Sequence, residues 1–485
     1  MSRCLLGLFF LFSTVTAFGV ERPNVLFIAV DDLRPALGCY GDKTAISPNI
    51  DRLAARGTVF ERAYCQQAVC APSRLSLMTG RRPDTTRVWD LKTHFRKQLP
   101  DVVTLPQYFG KRGYVTQSLG KIFHGGGVAS EDRPSWSRPP LFAVTRDKKF
   151  RYASPANLKM RGHKASAAES VDVPDVTYVD GMVCEAAEKT LDSLAREKAP
   201  FFLAVGFRKP HLPFCAPKKY WDLYDRAKIP GPLTTEHPEG APELATRSWR
   251  ELEGYTDIPK DGKLSRERVQ ELRHGYYACV SYADALIGRV LDRLRSLGLE
   301  EKTLVVLWGD HGFHLAEQGL WTKANNYELS TRVPLIVAAP QRTSSRVRAL
   351  VELVDLYPTL VDLCGFAPDE KLEGSSFVRL LSEPHAPWKR AAFSQYPRPP
   401  KGVRHNGRGE VMGYAIRTEQ YRYVEWRRWS DGAVVARELY DEWDDPFEMR
   451  NRASDPGCEL TVDRLSHWLR AGWGASRPNS WRTAK

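Results

Sequence analysis

The residues Cys70-Ala71-Pro72-Ser73-Arg74 gather more reactive chemistry than any other short stretch of this chain. A cysteine is a good nucleophile only as its thiolate. Pro72 and Ser73 read as the opening of a helix, and Gly80 is placed to end it. The first turn of a helix offers free N–H groups and the positive end of its dipole, a setting that suits an anion. A lone buried cysteine is more often an inert packing residue. What lies elsewhere in the chain decides against that reading here.

Asn24 to Val30 is a nearly continuous apolar run, the pattern of a strand buried on both faces of a parallel sheet. It ends in Asp31-Asp32, and ligands of open α/β sheets sit beyond the carboxyl ends of strands. Two adjacent carboxylates repel unless a cation offsets them, and oxygen donors favour a hard ion, calcium before magnesium. A cap or turn explains one aspartate better than two. Thr303 to Trp308 repeats the arrangement, with Gly309-Asp310-His311-Gly312 after it and glycines that allow close backbone approach. Lys121 and His124, three apart beyond another strand, can face one anion, Lys121 by charge and His124 by proton exchange. Phe201 to Phe207 is a further buried strand, and it leads to His211 between Pro210 and Pro213. Lys323 closes Leu320-Trp321-Thr322-Lys323. Taken singly, each of these is an ordinary surface or loop residue.

The elements that must position them follow from caps and periodicity. Ser47-Pro48 starts a short helix that Gly57 ends, and a strand lies near Thr58 to Phe60. Thr104 caps a helix to about Lys111. Gly125 to about Glu169 reads as long loops near the mouth of the site. Helical spacing covers Asp175 to about Glu197, Leu264 to Leu297 as one long helix or two, and Val354 to Leu363; Val333 to Ala338 is a strand. Gln395 to Pro400 reads as a linker or domain edge. Beyond it, Tyr414–Arg417 and Tyr421–Trp426 form an antiparallel hairpin, with Glu438–Asp441 as a further strand.

A chain of 485 residues exceeds one typical domain, and 42% hydrophobic with 11% aromatic residues allows a sizeable core and excludes a disordered chain. Met1 to Gly19 reads as a secretory signal, with Arg3, the apolar Leu5–Phe12 and a small-residue cleavage site. That apolar run is too short for a membrane span, and no later one reaches the length, so the mature chain is expected to be exported and soluble. Of nine cysteines, Cys4 leaves with the signal. The seven besides Cys70 are odd in number and widely spaced, so no disulfide framework is legible, and no C-x-x-C pair suggests zinc. A net charge of +13 points to nucleic acid or to an acidic polysaccharide. No nucleic-acid-binding module is present and the basic residues are scattered.

Cys70-x-Pro72-Ser73-Arg74 followed by Leu75 through Gly80 resembles the sulfatase signature, with Met78 where leucine is usual. Gly113-Tyr114-x-Thr116, Gly120-Lys121 and Phe123-His124 are similar to the second signature of that family. The likeness runs from Pro23 to about Asn451. It is greatest to the members that act on 2-O-sulfated iduronate, through Val30–Pro35, Gly38–Asp42, Ser47–Asp51, Gln66–Cys70, Gly80–Thr86, Lys209–His211, Ser394–Pro399 and Met412–Tyr414.

The resemblance implies an alkaline-phosphatase-like α/β fold: a large, mostly parallel mixed sheet flanked by helices, then a small antiparallel-sheet domain. Residues 20–398 would form the catalytic domain and 399–485 the small subdomain. It implies a maturation enzyme that converts Cys70 to formylglycine (3-oxoalanine). The aldehyde hydrate would attack the sulfate sulfur, and its second hydroxyl would expel sulfate. Carried over by position, Asp31, Asp32, the formylglycine at Cys70, Asp310 and His311 would hold calcium. Many sulfatases have Asn at the place of His311, but the iduronate-directed members have His. Arg74 and Lys121 would hold the diol and the sulfate, and His124 would take the second hydroxyl's proton. His211 and Lys323 would bind sulfate, with His211 protonating the leaving oxygen. The expected partner is a sulfated oligosaccharide carrying 2-O-sulfate on a terminal uronate, drawn in by the positive charge, rather than nucleic acid. Two other readings are a phosphoesterase or phosphonate hydrolase of the same superfamily and a non-catalytic polyanion-binding relic. The full Cys70–Arg74 core favours sulfate over phosphate, and the complete residue set argues against the relic.

Overall fold

The structure, a computed structural model, describes residues 22–125, 131–143, 147–247, 250–399 and 409–478. The expected signal, residues 1–19, lies outside the described residues. Its frame is an eight-stranded sheet built from β1 (Asn24–Val30), β2 (Thr58–Tyr64), β3 (Val115–Gly120), β4 (Phe201–Phe207), β5 (Thr303–Gly309), β6 (Arg332–Ala338), β7 (Ser345–Val347) and β8 (Val351–Glu352). The order is β7-β2-β6-β5-β1-β4-β3, with β8 also on β2. All pairings are parallel except those of β6, which runs antiparallel to both β2 and β5.

The continuous apolar character of β1 has a direct cause. Leu26, Ile28 and Val30 enter one core and Val25, Phe27 and Ala29 the other, so both faces are covered. On the first face lie α1 (Pro48–Arg56), α4 (Val179–Leu194) and α5 (Arg266–Ser296); on the second lie α2 (Cys70–Thr79), α3 (Leu105–Gly110) and α6 (Leu356–Leu363). The span from Leu264 to Leu297 is thus one helix of 31 residues, α5. Thr104 caps α3 in a reciprocal box with Gln107, as its position before the apolar run required. The expected loops between Gly125 and Glu169 hold a short helix, Pro155–Lys159, and the start of a strand, Ala168–Val171, that pairs with Phe214–Pro217. Residues 126–130 and 144–146 of that stretch lie outside the described residues.

A second sheet of four antiparallel strands follows in chain order: β9 (Ala392–Arg398), β10 (Val411–Arg417), β11 (Tyr421–Arg428) and β12 (Val434–Asp441), covered by α7 (Glu459–Ala475). The hairpin read from the sequence is β10–β11. Gln395–Pro400, read as a linker or domain edge, is strand as far as Arg398 and belongs to the first strand of this second sheet. Its prolines misled because β9 is an edge strand, where a missing N–H removes no ladder bond. This strand is stitched to the large domain: Gln395 N–H donates to the Gln66 carbonyl, and Arg398 donates to the Ala324 carbonyl at 2.7 Å. Between the two sheets, Arg417 and Arg422 reach Glu328, and Arg422 also reaches Glu448 at 2.5 Å. Among the described residues no helix is long and apolar enough to cross a membrane.

Candidate active site

The sequence-predicted residues converge at the carboxyl ends of β1, β3, β4 and β5. Asp31 and Asp32 follow β1, and adjacent residues of a regular strand would point to opposite faces. Asp32 escapes this by adopting a left-handed backbone, φ 60°, so both carboxylates reach one spot. Its conformation is held by neighbours: the Asp32 N–H donates to Asp310 Oδ1 at 3.1 Å, and Tyr276 Oη donates to the Asp32 carbonyl at 2.9 Å.

Cys70 is the first residue of α2, two residues earlier than the proline suggested, with Gly80 ending the helix at φ 64°. Its Sγ lies 3.6 Å from Asp31, 3.4 Å from His311 Nε2 and 3.4 Å from Lys121 Nζ. Burial, and then the Asp31 charge, push the thiol well above its usual range. The unmodified side chain is therefore a protonated, weak nucleophile. One turn on, Arg74 is wholly buried. It donates to Asp310 Oδ2 at 2.8 Å, Asp31 Oδ1 at 3.1 Å, and the carbonyls of Lys121 at 2.6 Å and Ile122 at 3.1 Å. The Lys121 backbone can come so close because residue 206 of β4 is glycine: a Cβ there would meet the Lys121 carbonyl oxygen at 2.0 Å. Lys121 itself pairs with Asp31 Oδ2.

On the far side, Lys323 grips Asp32 through both oxygens, at 3.0 and 2.9 Å. It also meets Glu251 at 2.8 Å. His211 projects from a loop anchored by the Asp180 carboxylate, which accepts from the N–H groups of Arg208 and Lys209. Its Nδ1 is bonded to the Leu212 carbonyl at 2.5 Å, and its Nε2 stands 3.3 Å from Glu251 and 4.0 Å from Asp32. Burial and the Lys323 charge hold this imidazole well below its usual range. His124 is half-buried, with an Nδ1 that has no hydrogen-bond partner among the described residues. Burial, with Lys121, lowers its basicity strongly.

Glu251 was not foreseen. It bridges Lys323 and His211, yet in sequence it is one acid in Arg250-Glu251-Leu252-Glu253, which reads as a solvated loop. No single-sequence signal marks it.

Asp31, Asp32, Cys70 and His311 offer ligand atoms that all lie within 4.8 Å of one another. Two carboxylates, an imidazole and the side chain of residue 70 can hold a divalent cation, and the thiol form does not by itself select calcium. His311 Nδ1 is bonded to the Gly312 carbonyl at 3.0 Å, which leaves the Nε2 lone pair facing Asp32 at 3.4 Å. Burial keeps that imidazole below its usual range, hence neutral. Burial works against the Asp31 carboxylate, but the Lys121 and Arg74 charges hold it well below the usual range. Asp32 is pushed well above it, first by burial and then, despite Lys323, by Asp31, Glu251 and Asp310. That residual repulsion is what a cation would relieve. Four carboxylates (Asp31, Asp32, Asp310, Glu251) face three permanent cations (Arg74, Lys121, Lys323). A divalent ion and a monoanionic ester together would leave the cluster neutral.

Residues 23–366 match the Sulfatase family, and residues 316–472 match the C-terminal region of N-sulphoglucosamine sulphohydrolase. This chain belongs to the sulfatase family. It is a hydrolase of sulfuric esters. Human iduronate 2-sulfatase is 36% identical to this sulfatase over 501 residues, which cover 89% of this chain and 91% of the human one. Among solved structures, the phosphonate monoester hydrolase of Silicibacter pomeroyi superposes with a TM-score of 0.76 at 23% identity, covering 94% of this chain and 96% of that one. A protein solved with its substrate D-glucosamine-2-N,6-O-disulfate gives 0.73 at 21% identity, covering 94% and 99%. These two share the fold of this sulfatase.

Proposed function

We propose that this sulfatase is an exported enzyme that removes 2-O-sulfate from a terminal uronate of a glycosaminoglycan, using formylglycine at Cys70 and calcium. The aldehyde would supply a nucleophile that needs no thiolate, and calcium would stabilise negative charge on the sulfuryl oxygens. Asp31, Asp32 and His311 are the side chains that would hold the ion beside residue 70; Asp310, expected as a further ligand, lies outside that cluster of ligand atoms and accepts from the Asp32 N–H instead. Asp310 also fixes Arg74.

The chain's own cations do the rest. Lys121 lies against residue 70, Arg74 reaches Asp31 behind it, and Lys323 and His211 reach Asp32. A sulfate held between them meets preorganised positive charge in a dry site. His211 is the group placed to protonate the departing sugar oxygen, and an anion in the site would raise its basicity. His124, whose Nδ1 lacks a partner among the described residues, is the candidate base for the proton released when sulfate leaves.

The observation that carries the sugar assignment is the likeness to human iduronate 2-sulfatase along nearly the whole chain. The net charge of +13 supports a doubly anionic substrate, since steering can raise on-rates by roughly 10-fold or more at low salt. The test compares matched 2-O-sulfated disaccharides with and without the uronate carboxylate, at low and moderate salt. Faster sulfate release from the carboxylated form is expected, with the gap narrowing as salt rises. Indifference to the carboxylate at both salts would remove the uronate and leave the sulfatase.

A further inference from the structure

A second cleft lies between the edge of the large sheet and the small domain. Its walls are Arg62 of β2, residues 348–350 before β8, 384–390 before β9, the β10–β11 turn at 418–421, Trp443 after β12, and Arg464, Leu465 and Trp468 of α7. Its volume is about 540 Å³, within the range of small-ligand pockets. None of these residues belongs to the cluster around Cys70.

The lining is cationic and aromatic. Arg62, Arg348, Arg390 and Arg464 face it against one carboxylate, Glu419, which is 73% exposed and 3.8 Å from Arg62. Arg348 stands 3.7 Å from Glu61, a weak and solvated contact. Arg390 and Arg464 are exposed and take part in none of the ion pairs found among the described residues. Lys389 also lines the cleft, but Glu352 and Asp355 already neutralise it. Three tryptophans complete the wall. Trp388 is fixed by donating to the Leu350 carbonyl at 3.0 Å, Trp468 sits on α7, and Trp443 leaves 65% of its surface in water. The mostly exposed Trp443 indole shares this wall with the Arg390 and Arg464 guanidinium groups, which no carboxylate pairs among the described residues.

Forked guanidinium groups bind sulfate and carboxylate oxygens in pairs, and indole faces offer an apolar bed for the C–H face of a sugar ring. We propose that this cleft is a non-catalytic binding site for the sulfated oligosaccharide chain itself, separate from the site at Cys70. A single-stranded nucleic acid would also use cations and aromatic rings. The sulfated chain is preferred because the family's reaction is on sulfate esters. The proposal rests on that membership and not on the uronate reading.

The test uses the full chain as Cys70→Ala, which has no turnover, and a heparin dodecasaccharide as probe, at physiological salt. Arg390→Ser with Arg464→Ser should weaken binding about 10-fold and flatten its salt dependence. Trp443→Ala, at an exposed position that fills no core, should weaken it by roughly 5-fold. Arg390→Lys with Arg464→Lys should recover part of the first loss, and fully desulfated heparin should not bind. With Cys70 restored, the same substitutions should leave kcat and KM for a sulfated disaccharide unchanged. Failure of the uronate reading would appear in that disaccharide assay and leave the heparin result untouched. Binding by both variants equal to that of the parent would overturn the proposal. So would single-stranded DNA binding as tightly as heparin with the same loss on Trp443→Ala.

Discussion

Replacing Arg74 with alanine removes the group from which the Cys70 cluster is suspended. The guanidinium is fully buried and makes four bonds, two to the carboxylates of Asp31 and Asp310 and two to backbone carbonyls. Alanine would leave both carboxylates, themselves at 0% exposure, short of a partner. Deleting one side of a buried ion pair costs about 3–5 kcal/mol. A whole fold is held by only about 5–15 kcal/mol. At about 2 °C per kcal/mol for a large chain, the unfolding midpoint should fall by roughly 6–10 °C. Arg74→Lys keeps a point charge without the fork and should recover only part of that loss. The deleted charge is positive and its partners surround the candidate metal site. Calcium should therefore raise the midpoint of Arg74→Ala by more than that of the parent. Scanning calorimetry with calcium and with a chelator measures both effects. A loss below about 1 kcal/mol, the scale of an exposed pair, or an equal calcium response would refute the reasoning.

Three further outcomes are expected. Elemental analysis of unchelated protein should find calcium at one ion per chain without stoichiometric zinc, because with formylglycine in place of the Cys70 thiol the donors are oxygens with one imidazole. Zinc alone at full occupancy would contradict this. Lys323→Met should lower kcat by about 10²–10³ per folded molecule, the cost of removing a preorganised charge from a reacting oxyanion. A rate within a factor of about three would remove Lys323 from the reaction. Glu131 is buried, and burial first, with Asp132 beside it, pushes its carboxyl up to about 8. The folded chain then binds this proton more tightly than the unfolded one. Its favourable contribution is present below the unfolded value of 4.5 and is lost as pH rises to about 8. Glu131→Gln should unfold at higher temperature than the parent near pH 9 and match it near pH 4.5, and the opposite ordering would show the sign to be wrong.

Much of this was open to reading from residues alone, because the strands that present the site are covered on both faces. β1 is apolar at every position from Val25 to Val30 because its two faces feed two cores, so the break at Asp31-Asp32 stood out. Thr104 and Gln107 announced their helix because a capping box is a local device. What stayed hidden depends on distant neighbours. The left-handed backbone of Asp32 is imposed by Asp310 and Tyr276, far away in sequence. Glu251 gains its place only when its loop folds over Lys323 and His211. The prolines near Pro397 hid a strand because sequence carries no sign of which strand will lie at a sheet's edge.

Cys70 is 2% exposed, and every residue from it to Thr79 is buried. A catalyst that reads consecutive residues of this segment must grasp them as an extended chain, and the native molecule offers neither reach nor slack. The conversion of Cys70 proposed above would therefore belong to the interval before the sheet closes. The share of competent molecules would then be fixed by a contest between two rates, discovery of the segment and completion of the fold. A batch of this protein would then be fully native and still a mixture, its unconverted fraction sealed at birth and beyond later repair. Folded thiol-form protein presented to a formylglycine-generating enzyme should stay unconverted, while the same chain presented unfolded is oxidised and its peptide loses about 18 Da. Conversion of the native form at a comparable rate would show that the segment opens more readily than its burial allows.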